Sequence, residues 1–243
     1  MIMIAINIKS KTYPAKGRAG QHLAIANFKL AVNANEFVCL VGPSGCGKTT
    51  LLNIVAGLDR DYDGEINVGE VQTQPKIGYV FQNPRLLPWR TVKENIELAI
   101  EDNASSENID ALLEVMQLAQ FQHVYPESLS LGMSRRVAII RAFANNPDVL
   151  LMDEPFVSLD APTARQVRGL LINLWQQRPH TVLFVTHDLR EAITLADRIV
   201  FLSSAPMQVI REIKVSIARS DRDNEQVIEA FRQQLLHDQP ELK

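Results

Sequence analysis

Short runs of bulky apolar residues alternate with amphipathic stretches along most of this chain. The runs predict buried strands, and apolar residues repeating every three or four positions predict helices. Strands are predicted at residues 2–8, 22–32, 37–41, 65–68, 76–81, 148–152, 181–186 and 199–202. Helices are predicted at residues 50–57, 92–100, 109–118, 134–144, 164–177 and 189–196. Strands that alternate with helices in this way predict an α/β fold with a parallel sheet, whose ligands bind at the carboxyl ends of the strands.

Two segments depart from this alternation. Residues 82–90 contain two prolines, so Leu86, Leu87 and Trp89 are expected on an irregular loop. Exposed apolar side chains on a loop indicate a docking surface, although packing beneath a helical layer explains them nearly as well. The last ~25 residues are polar with apolar positions at helical spacing, which predicts an amphipathic tail helix.

Composition restricts the possible partners and location. The 243 residues are 46% hydrophobic and 22% charged, as in an ordinary globular protein. A net charge of -3 gives no electrostatic reason to expect nucleic acid. No apolar run reaches the ~18 residues of a membrane span, and the N-terminus lacks the features of a signal peptide. We therefore expect a cytoplasmic site of action.

The strongest chemical motif directly follows the predicted strand at 37–41. It has the spacing G-x-x-x-x-G-K-[ST], and its candidate phosphate-binding residues are Gly42, Pro43, Ser44, Gly45, Cys46, Gly47, Lys48, Thr49 and Thr50. Glycines allow backbone N–H groups to surround phosphate oxygens, Lys48 supplies a point charge, and Thr49 supplies a hydroxyl for Mg²⁺. A glycine turn that binds nothing is the alternative, and the strand and helix that flank the motif argue against it.

Further candidate residues lie at other predicted strand ends. Asp153 follows a buried strand, as expected of a carboxylate held beside Mg²⁺, and Glu154 is placed to act as the general base for water. Tyr13 is an aromatic residue upstream of the glycine loop that could stack on a base, and a partly buried core tyrosine is an equally good interpretation.

At residues 129–132 the chain reads Leu-Ser-Leu-Gly, and here it resembles the ATP-binding-cassette (ABC) ATPases. The resemblance extends from about residue 4 to residue 203. It rests on six motifs in the family's order: the glycine loop, Gln82, the Leu-Ser-x-Gly signature, Asp153-Glu154-Pro155, the turn at 158–160, and His187.

The resemblance implies a P-loop NTPase fold of the RecA-like type in a single cassette spanning residues 1–243. The nucleotide-binding core is expected at 1–86 and 146–220, with an N-terminal antiparallel β subdomain. An inserted helical subdomain is expected at 87–145, and a tail helix at 221–243.

It also implies roles for individual residues. Gln82 is expected to sense Mg²⁺ and the membrane partner, Asp160 to link the sites of two subunits, and His187 to contact the γ-phosphate. Tyr13 is expected to stack on adenine. Ser130 and Gly132 are expected to face the ATP of a second subunit, since two copies close head to tail over two ATP molecules in this family.

One position departs from the family pattern. Leu131 stands where the signature usually has glycine. Ser130 can cap the following helix, and Leu is a good helix former in its first turn, so the Ser130 hydroxyl and the Gly132 N–H can still face a phosphate. The departure is expected to affect closure of the dimer and its rate more than ATP binding.

Within the family, the Gln82 loop and Glu154-Pro155-Phe156 resemble ATPase subunits of nitrate, sulfonate and taurine importers. This implies a second ATPase subunit, a transmembrane permease contacted through residues 82–90 and the helical subdomain, and indirectly a periplasmic or lipoprotein solute-binding protein. The expected location is the cytoplasmic face of the plasma membrane, as a peripheral subunit. The ATPase of an exporter or lipid-handling system, or an ABC ATPase not coupled to transport, are the alternatives.

Overall fold

The computed structural model describes residues 2–14, 20–69, 75–100 and 106–239. Its strands are β1 (Ile2–Tyr13), β2 (His22–Asn33), β3 (Phe37–Val41), β4 (Asp63–Val68), β5 (Ile77–Val80), β6 (Val149–Asp153), β7 (Thr181–Thr186), β8 (Arg198–Leu202) and β9 (Val209–Lys214). Its α-helices are α1 (Lys48–Val55), α2 (Val92–Glu97), α3 (Ser106–Val115), α4 (Leu131–Phe143), α5 (Ala161–Gln177), α6 (Leu189–Leu195) and α7 (Glu225–Asp238). Within the described ranges, none of these helices is long and apolar enough to span a bilayer.

The chain divides into two compact units. The first consists of Met1–Thr73 with Thr181–Lys243, and the second of Gln74–His180. The finer subdivision that the family resemblance implies, at 1–86, 87–145, 146–220 and 221–243, stays a prediction.

The first unit contains an antiparallel sheet and four strands of mainly parallel sheet. In the antiparallel sheet β1 is central and pairs with β2 and β4. In the other sheet β3 pairs in parallel with both β7 and β8, and β9 adds an antiparallel edge to β8. Every residue of β3 and β7 is buried, which is why both read as uninterrupted apolar runs.

In its described residues, the second unit combines a parallel pair of strands with four α-helices. β5 pairs with β6, and α4 contacts β5 and the helices α2, α3 and α5. Most of α4 from Val137 to Phe143 is buried, so it is the central helix of this unit. The predicted α/β architecture, with an antiparallel sheet and inserted helices, is confirmed.

Several predicted boundaries were wrong for identifiable reasons. β1 extends to Tyr13 because pairing with β2 continues as far as His22. α2 ends at Glu97 instead of 100, since the N–H groups of residues 99 and 100 bond three residues back. β9 was missed because most of its side chains are at least partly exposed and give no apolar run. The sequence also predicts a turn after Pro14, and that turn lies outside the described residues.

Candidate active site

The loop between β3 and α1 depends on its glycines. Gly45 and Gly47 have φ angles of 77° and 117°, which residues with a Cβ rarely adopt. At Gly42 the restriction is steric, because a Cβ there would lie 2.9 Å from the Leu202 Cβ. The loop ends at the N-terminus of α1, where the backbone N–H groups of the first turn and the helix dipole favour an anion. This geometry fits the predicted phosphate-binding loop.

The Lys48 side chain folds back over this loop. Its Nζ donates hydrogen bonds to the carbonyl oxygens of Gly42, at 2.8 Å, and Pro43, at 2.9 Å. Lys48 is 6% exposed, so its ammonium is held against the loop backbone. A phosphate can take the place of these two neutral acceptors, because an anionic oxygen makes the stronger, charge-assisted hydrogen bond.

His187 lies beside the same loop. β3 and β7 run in parallel with Val41 opposite Thr186, so the residues that follow, Gly42 and His187, come to the same edge of the sheet. The turn is fixed by the Thr186 hydroxyl, which donates to Glu191 at 2.7 Å and accepts from the Asp188 N–H at 3.0 Å. The His187 side chain is exposed at this edge.

Tyr13 is linked to the first turn of α1. Its hydroxyl lies 3.0 Å from the Thr50 Oγ1, within hydrogen-bond distance. The Tyr13 side chain is 38% exposed, so it is partly buried with part of its surface accessible, which both interpretations of this residue allow. An exposed ring fixed next to the phosphate loop is placed where a nucleotide base could stack on it.

In the second unit, one edge of the β5–β6 pair gathers the acidic candidates. Val80 lies opposite Met152. Gln82, two residues after Val80, and Asp153, directly after Met152, therefore come to the same edge of this strand pair. Asp153 is 4% exposed at the end of β6, whereas Gln82 is exposed. Glu154 has a φ angle of 42°, a left-handed conformation that costs roughly 1–3 kcal/mol in a residue with a side chain.

The signature segment forms the start of α4, three residues before the helix predicted at 134–144, and the predicted cap is present. Ser130 is the N-cap residue, and its Oγ accepts from the Met133 N–H at 3.2 Å. Gly132 is required by packing, because a Cβ there would lie 2.6 Å from the Thr163 Cγ2. Leu131 occupies the first turn with 44% of its surface exposed. Leucine is therefore compatible with the helix start, and its side chain projects beside Ser130 at the surface.

Asp160 is the N-cap of α5. Its carboxylate accepts from the Thr163 N–H at 3.0 Å and from the Thr163 hydroxyl at 2.7 Å. These hydrogen bonds, the backbone one first, lower the pKa of the Asp160 carboxyl. Asp160 thus has a structural role within one chain, and its predicted role between subunits stays a prediction.

The loop that follows Gln82 is held by aromatic and cationic contacts. The Tyr79 and Phe81 rings stack with centroids 4.0 Å apart, and the Arg85 guanidinium lies 3.9 Å from the Phe81 centroid. Arg141 donates to the carbonyls of residues 84 and 85, at 2.7 and 3.0 Å. Trp89 is 69% exposed, whereas the two leucines predicted with it are half-buried. Only the tryptophan therefore remains a candidate docking residue.

Three buried polar residues near these segments were missed by sequence reasoning: Lys11, Asn95 and Arg135. Each lies in a regular strand or helix, and none belongs to a recognisable motif. Asn95 makes four hydrogen bonds to the backbone of residues 87–91, which shape the loop that exposes Trp89. Its position four residues after the helix cap Thr91 was the one available signal, and it does not reveal burial.

A buried strand is followed by a glycine loop that ends at a helix N-terminus, and the Lys48 side chain folds back over this loop. These features define a P-loop nucleotide-binding protein. Comparison with known proteins identifies the family. The model of the ABC transporter family matches residues 25–157. The chain therefore belongs to the ABC transporter family, as an ATPase cassette.

Relatives extend the match over nearly the whole chain. The aliphatic sulfonates import ATP-binding protein SsuB of a Bacillus cereus strain is 42% identical, with 96% of this chain and 94% of that protein covered. SsuB of Bacillus subtilis (strain 168) is 38% identical, with 96% and 92% covered. The nitrate import ATP-binding protein NrtD of Synechococcus elongatus is 39% identical, with 90% and 83% covered.

Solved structures agree with this assignment. The dimeric structure of MJ0796, a bacterial ABC transporter cassette, is 34% identical and has a TM-score of 0.76. The comparison covers 89% of this chain and 100% of that one. A second structure of MJ0796, in a post-hydrolysis state bound to ADP and Pi, matches equally well.

Proposed function

We propose that this chain is the ATP-hydrolysing, energy-coupling subunit of an importer for a small solute of the nitrate, sulfonate or taurine type. The observation that carries the proposal is the 38% to 42% identity over 96% of the chain with sulfonate-import ATP-binding proteins. The similarity to a nitrate-import protein points to the same group.

The residue roles form part of this proposal. Lys48 contacts the β- and γ-phosphates of ATP, His187 contacts the γ-phosphate, and Glu154 orients and activates the attacking water. These roles are supported by the Lys48 ammonium on the phosphate loop and by the position of His187 next to Gly42. Tyr13 stacks on adenine, consistent with its exposed ring beside α1.

Mg²⁺ is the proposed metal, with Thr49, Gln82 and Asp153 as its protein ligands. Hydroxyl, amide and carboxylate oxygens are the donors that Mg²⁺ prefers. The Asp153 carboxylate suits this role because it is held at the end of a buried strand. When bound, Mg²⁺ would neutralise phosphate charge, and these three ligands stay a prediction.

The proposed partners are a second copy of this chain, arranged head to tail, and a transmembrane permease. The Trp89 side chain, with 69% of its surface exposed, supports a permease contact, because tryptophan is enriched at protein–protein interfaces. The protein then acts as a peripheral subunit at the cytoplasmic face of the plasma membrane, with a periplasmic or lipoprotein solute-binding protein as an indirect partner and no nucleic acid.

Purification from native membranes tests the permease contact. The tagged wild-type protein, trapped with ATP and vanadate, is expected to bring down a multi-span permease identified by mass spectrometry. Trp89→Ser is expected to reduce that recovery, whereas Ile210→Ser, which changes another exposed apolar residue, serves as the matched control. Recovery of cytosolic partners alone from the wild type would reject the importer assignment.

Light scattering tests the paired arrangement. Glu154→Gln removes the proposed base, so the ATP-bound state persists and the protein is expected to dimerise when ATP is added. The same variant with ADP is the control and is expected to stay monomeric. A monomer at micromolar concentration with ATP bound would contradict a symmetric pair closed over two ATP molecules.

A further inference from the structure

Lys11 is a buried cation next to the proposed base-stacking tyrosine. It lies in β1, two residues before Tyr13, and only 2% of its side chain is exposed. Its Nζ lies over the Tyr13 ring, 4.8 Å from the centroid. The buried Lys11 ammonium therefore lies over one face of the aromatic ring.

Two acidic residues after α1 hold this ammonium. The Lys11 Nζ donates to the Asp59 Oδ1 at 2.9 Å and to the Asp61 carbonyl at 2.6 Å, and the Asp61 carboxylate lies 3.5 Å away. Burial lowers the pKa of the Lys11 ammonium, but the hydrogen bond to Asp59 and the nearby negative charges raise it by more. Lys11 is consequently a fixed positive charge at neutral pH.

Lys11 and Tyr13 together attach one strand to both ends of the phosphate-loop helix. Tyr13 reaches Thr50 in the first turn of α1, and Lys11 reaches Asp59 in the turn beyond its last residue. The ring is thus restrained at its hydroxyl by one contact and across one face by the other. A platform restrained in this way loses little conformational entropy when a base stacks on it.

We propose that Lys11 is a positioning residue for the nucleotide base, which acts by fixing and polarising the Tyr13 ring on which adenine stacks. A cation on one face withdraws π-electron density from the other face and so reduces repulsion from the π-system of a stacked base. This inference rests on the proposed role of Tyr13 and adds a second residue behind it.

A purely structural role is the competing explanation. Lys11 also neutralises Asp59 and ties β1 to the turn after α1, and these contacts stabilise the fold whether or not a base is bound. The two explanations differ in what they predict for ligands without a base. Loss of a structural tie affects every ligand of the phosphate loop, whereas loss of a base platform affects only nucleotides.

Calorimetric titrations of the full-length protein separate them. The probes are a non-hydrolysable ATP analogue and inorganic tripolyphosphate, which has the phosphates and no base. Lys11→Met is expected to weaken binding of the ATP analogue about 3- to 10-fold and to leave tripolyphosphate binding unchanged, a size typical of one cation–π contact. Lys9→Met is the matched control, because Lys9 lies on the same strand with a 70% exposed side chain. This variant is expected to bind both probes like the wild type.

A double-substitution cycle makes the test specific. In a Tyr13→Leu background, Lys11→Met is expected to cause no further loss of affinity for the ATP analogue, because the ring through which it acts is gone. Lys11→Arg is expected to restore part of the affinity, since it keeps a cation at this position. If Lys11→Met does not fold, Asp59→Asn replaces it, as this change weakens the hold on the ammonium and should produce the same selective loss in smaller degree.

Two results would overturn the proposal: an equal loss of affinity for tripolyphosphate, or a loss in the Tyr13→Leu background as large as in the wild type. Unchanged binding of the ATP analogue by Tyr13→Leu itself would remove the base platform and Lys11's role with it, leaving the ATPase assignment intact. Failure of the wild-type protein to bind the ATP analogue would instead reject the nucleotide site.

Discussion

Asn95 offers the sharpest test of how the exposed loop of the second unit is built. It is fully buried in α2, and its Oδ1 accepts from the Leu87 N–H at 2.7 Å. Its Nδ2 donates to the carbonyls of Leu87, Arg90 and Thr91 at 2.9 to 3.1 Å. One side chain therefore replaces the regular hydrogen bonds that a proline-rich loop lacks. We expect Asn95→Ala to destabilise the protein and to release the loop that carries Trp89.

The magnitude follows from what each partner loses. The Leu87 and Thr91 carbonyls keep backbone partners, from the N–H groups of Arg90 and Asn95, so these two lost bonds cost little. The Arg90 carbonyl also loses its bond to the Asn95 side chain. The Leu87 N–H loses the shortest of the four bonds, and a poorly solvated donor costs about 1–3 kcal/mol. Truncation also leaves a small cavity, so the total is about 3 kcal/mol, or roughly 6–12 °C in Tm for a chain of this size.

Urea denaturation and fluorescence measure the two consequences. The chain has two tryptophans, and Trp175→Phe leaves Trp89 as the single tryptophan, which can be excited selectively over tyrosine. In that background Asn95→Ala is expected to lower the urea midpoint and to reduce the fluorescence anisotropy of Trp89, because the loop gains freedom. Asn173→Ala is the control, since Asn173 is exposed on α5 and bonded to Gln177 on the surface, and a change within ~0.5 kcal/mol is expected there.

The reasoning fails if Asn95→Ala matches that control in stability and leaves the anisotropy of Trp89 unchanged. A loss of stability with unchanged anisotropy would show that Asn95 supports the core of the unit and not the loop. In the membrane purification, the same variant is expected to recover less permease than Asn173→Ala.

Three further predictions concern the phosphate loop, the signature and acid stability. Lys48→Ala is expected to abolish ATP binding or turnover while keeping the native circular dichroism spectrum, and wild-type rates would refute the site. Leu131→Gly alone is expected to raise the ATPase rate, at a stability cost below ~1 kcal/mol. Combined with Glu154→Gln, it is expected to tighten the ATP-dependent dimer, and an unchanged or slower rate of the single variant would contradict this. Burial lowers the pKa of the His180 imidazole in the folded protein. As the pH falls below the ordinary histidine pKa of about 6.5, His180 is therefore protonated in the unfolded chain before it is protonated in the folded one, which favours unfolding. Urea midpoints should therefore fall from pH 7 to pH 5.5, and less so in His180→Gln.

The parts of the site that were predictable are those in which chemistry is written in neighbouring residues. A phosphate loop needs its strand, glycines, lysine and helix within about twenty positions, so its sequence suffices. The helix cap at Ser130 is local in the same way. The parallel strands were also predictable, because full burial gives them uninterrupted apolar runs, whereas the exposed edge strand β9 gave no such pattern.

The residues that were not predictable act across long sequence separations. Lys11 donates a hydrogen bond to Asp59, which is 48 positions away in the sequence. The alternating pattern of a strand does not indicate which of two lysines is buried and which is exposed. The Lys9 and Lys11 side chains lie on the same strand, yet they are 70% and 2% exposed. The difference comes from the turn after α1, whose position is set by tertiary packing and not by the local pattern.

Arg135 shows what such a hidden residue can contribute to the second unit. It lies in α4 with 4% of its surface exposed, and it donates hydrogen bonds to the carbonyls of Gln82 and Val157, the latter at 3.4 Å. Burial lowers the pKa of its guanidinium, and within the described part of the chain its Nε has no hydrogen-bond partner, so this arrangement costs stability. In exchange, the Arg135 side chain connects three segments: the start of the loop at residues 82–90, the signature helix α4, and the turn after Glu154. Arg135 therefore ties the Gln82 backbone directly to the helix that begins after Ser130, over a sequence separation of 53 residues that no local pattern could reveal.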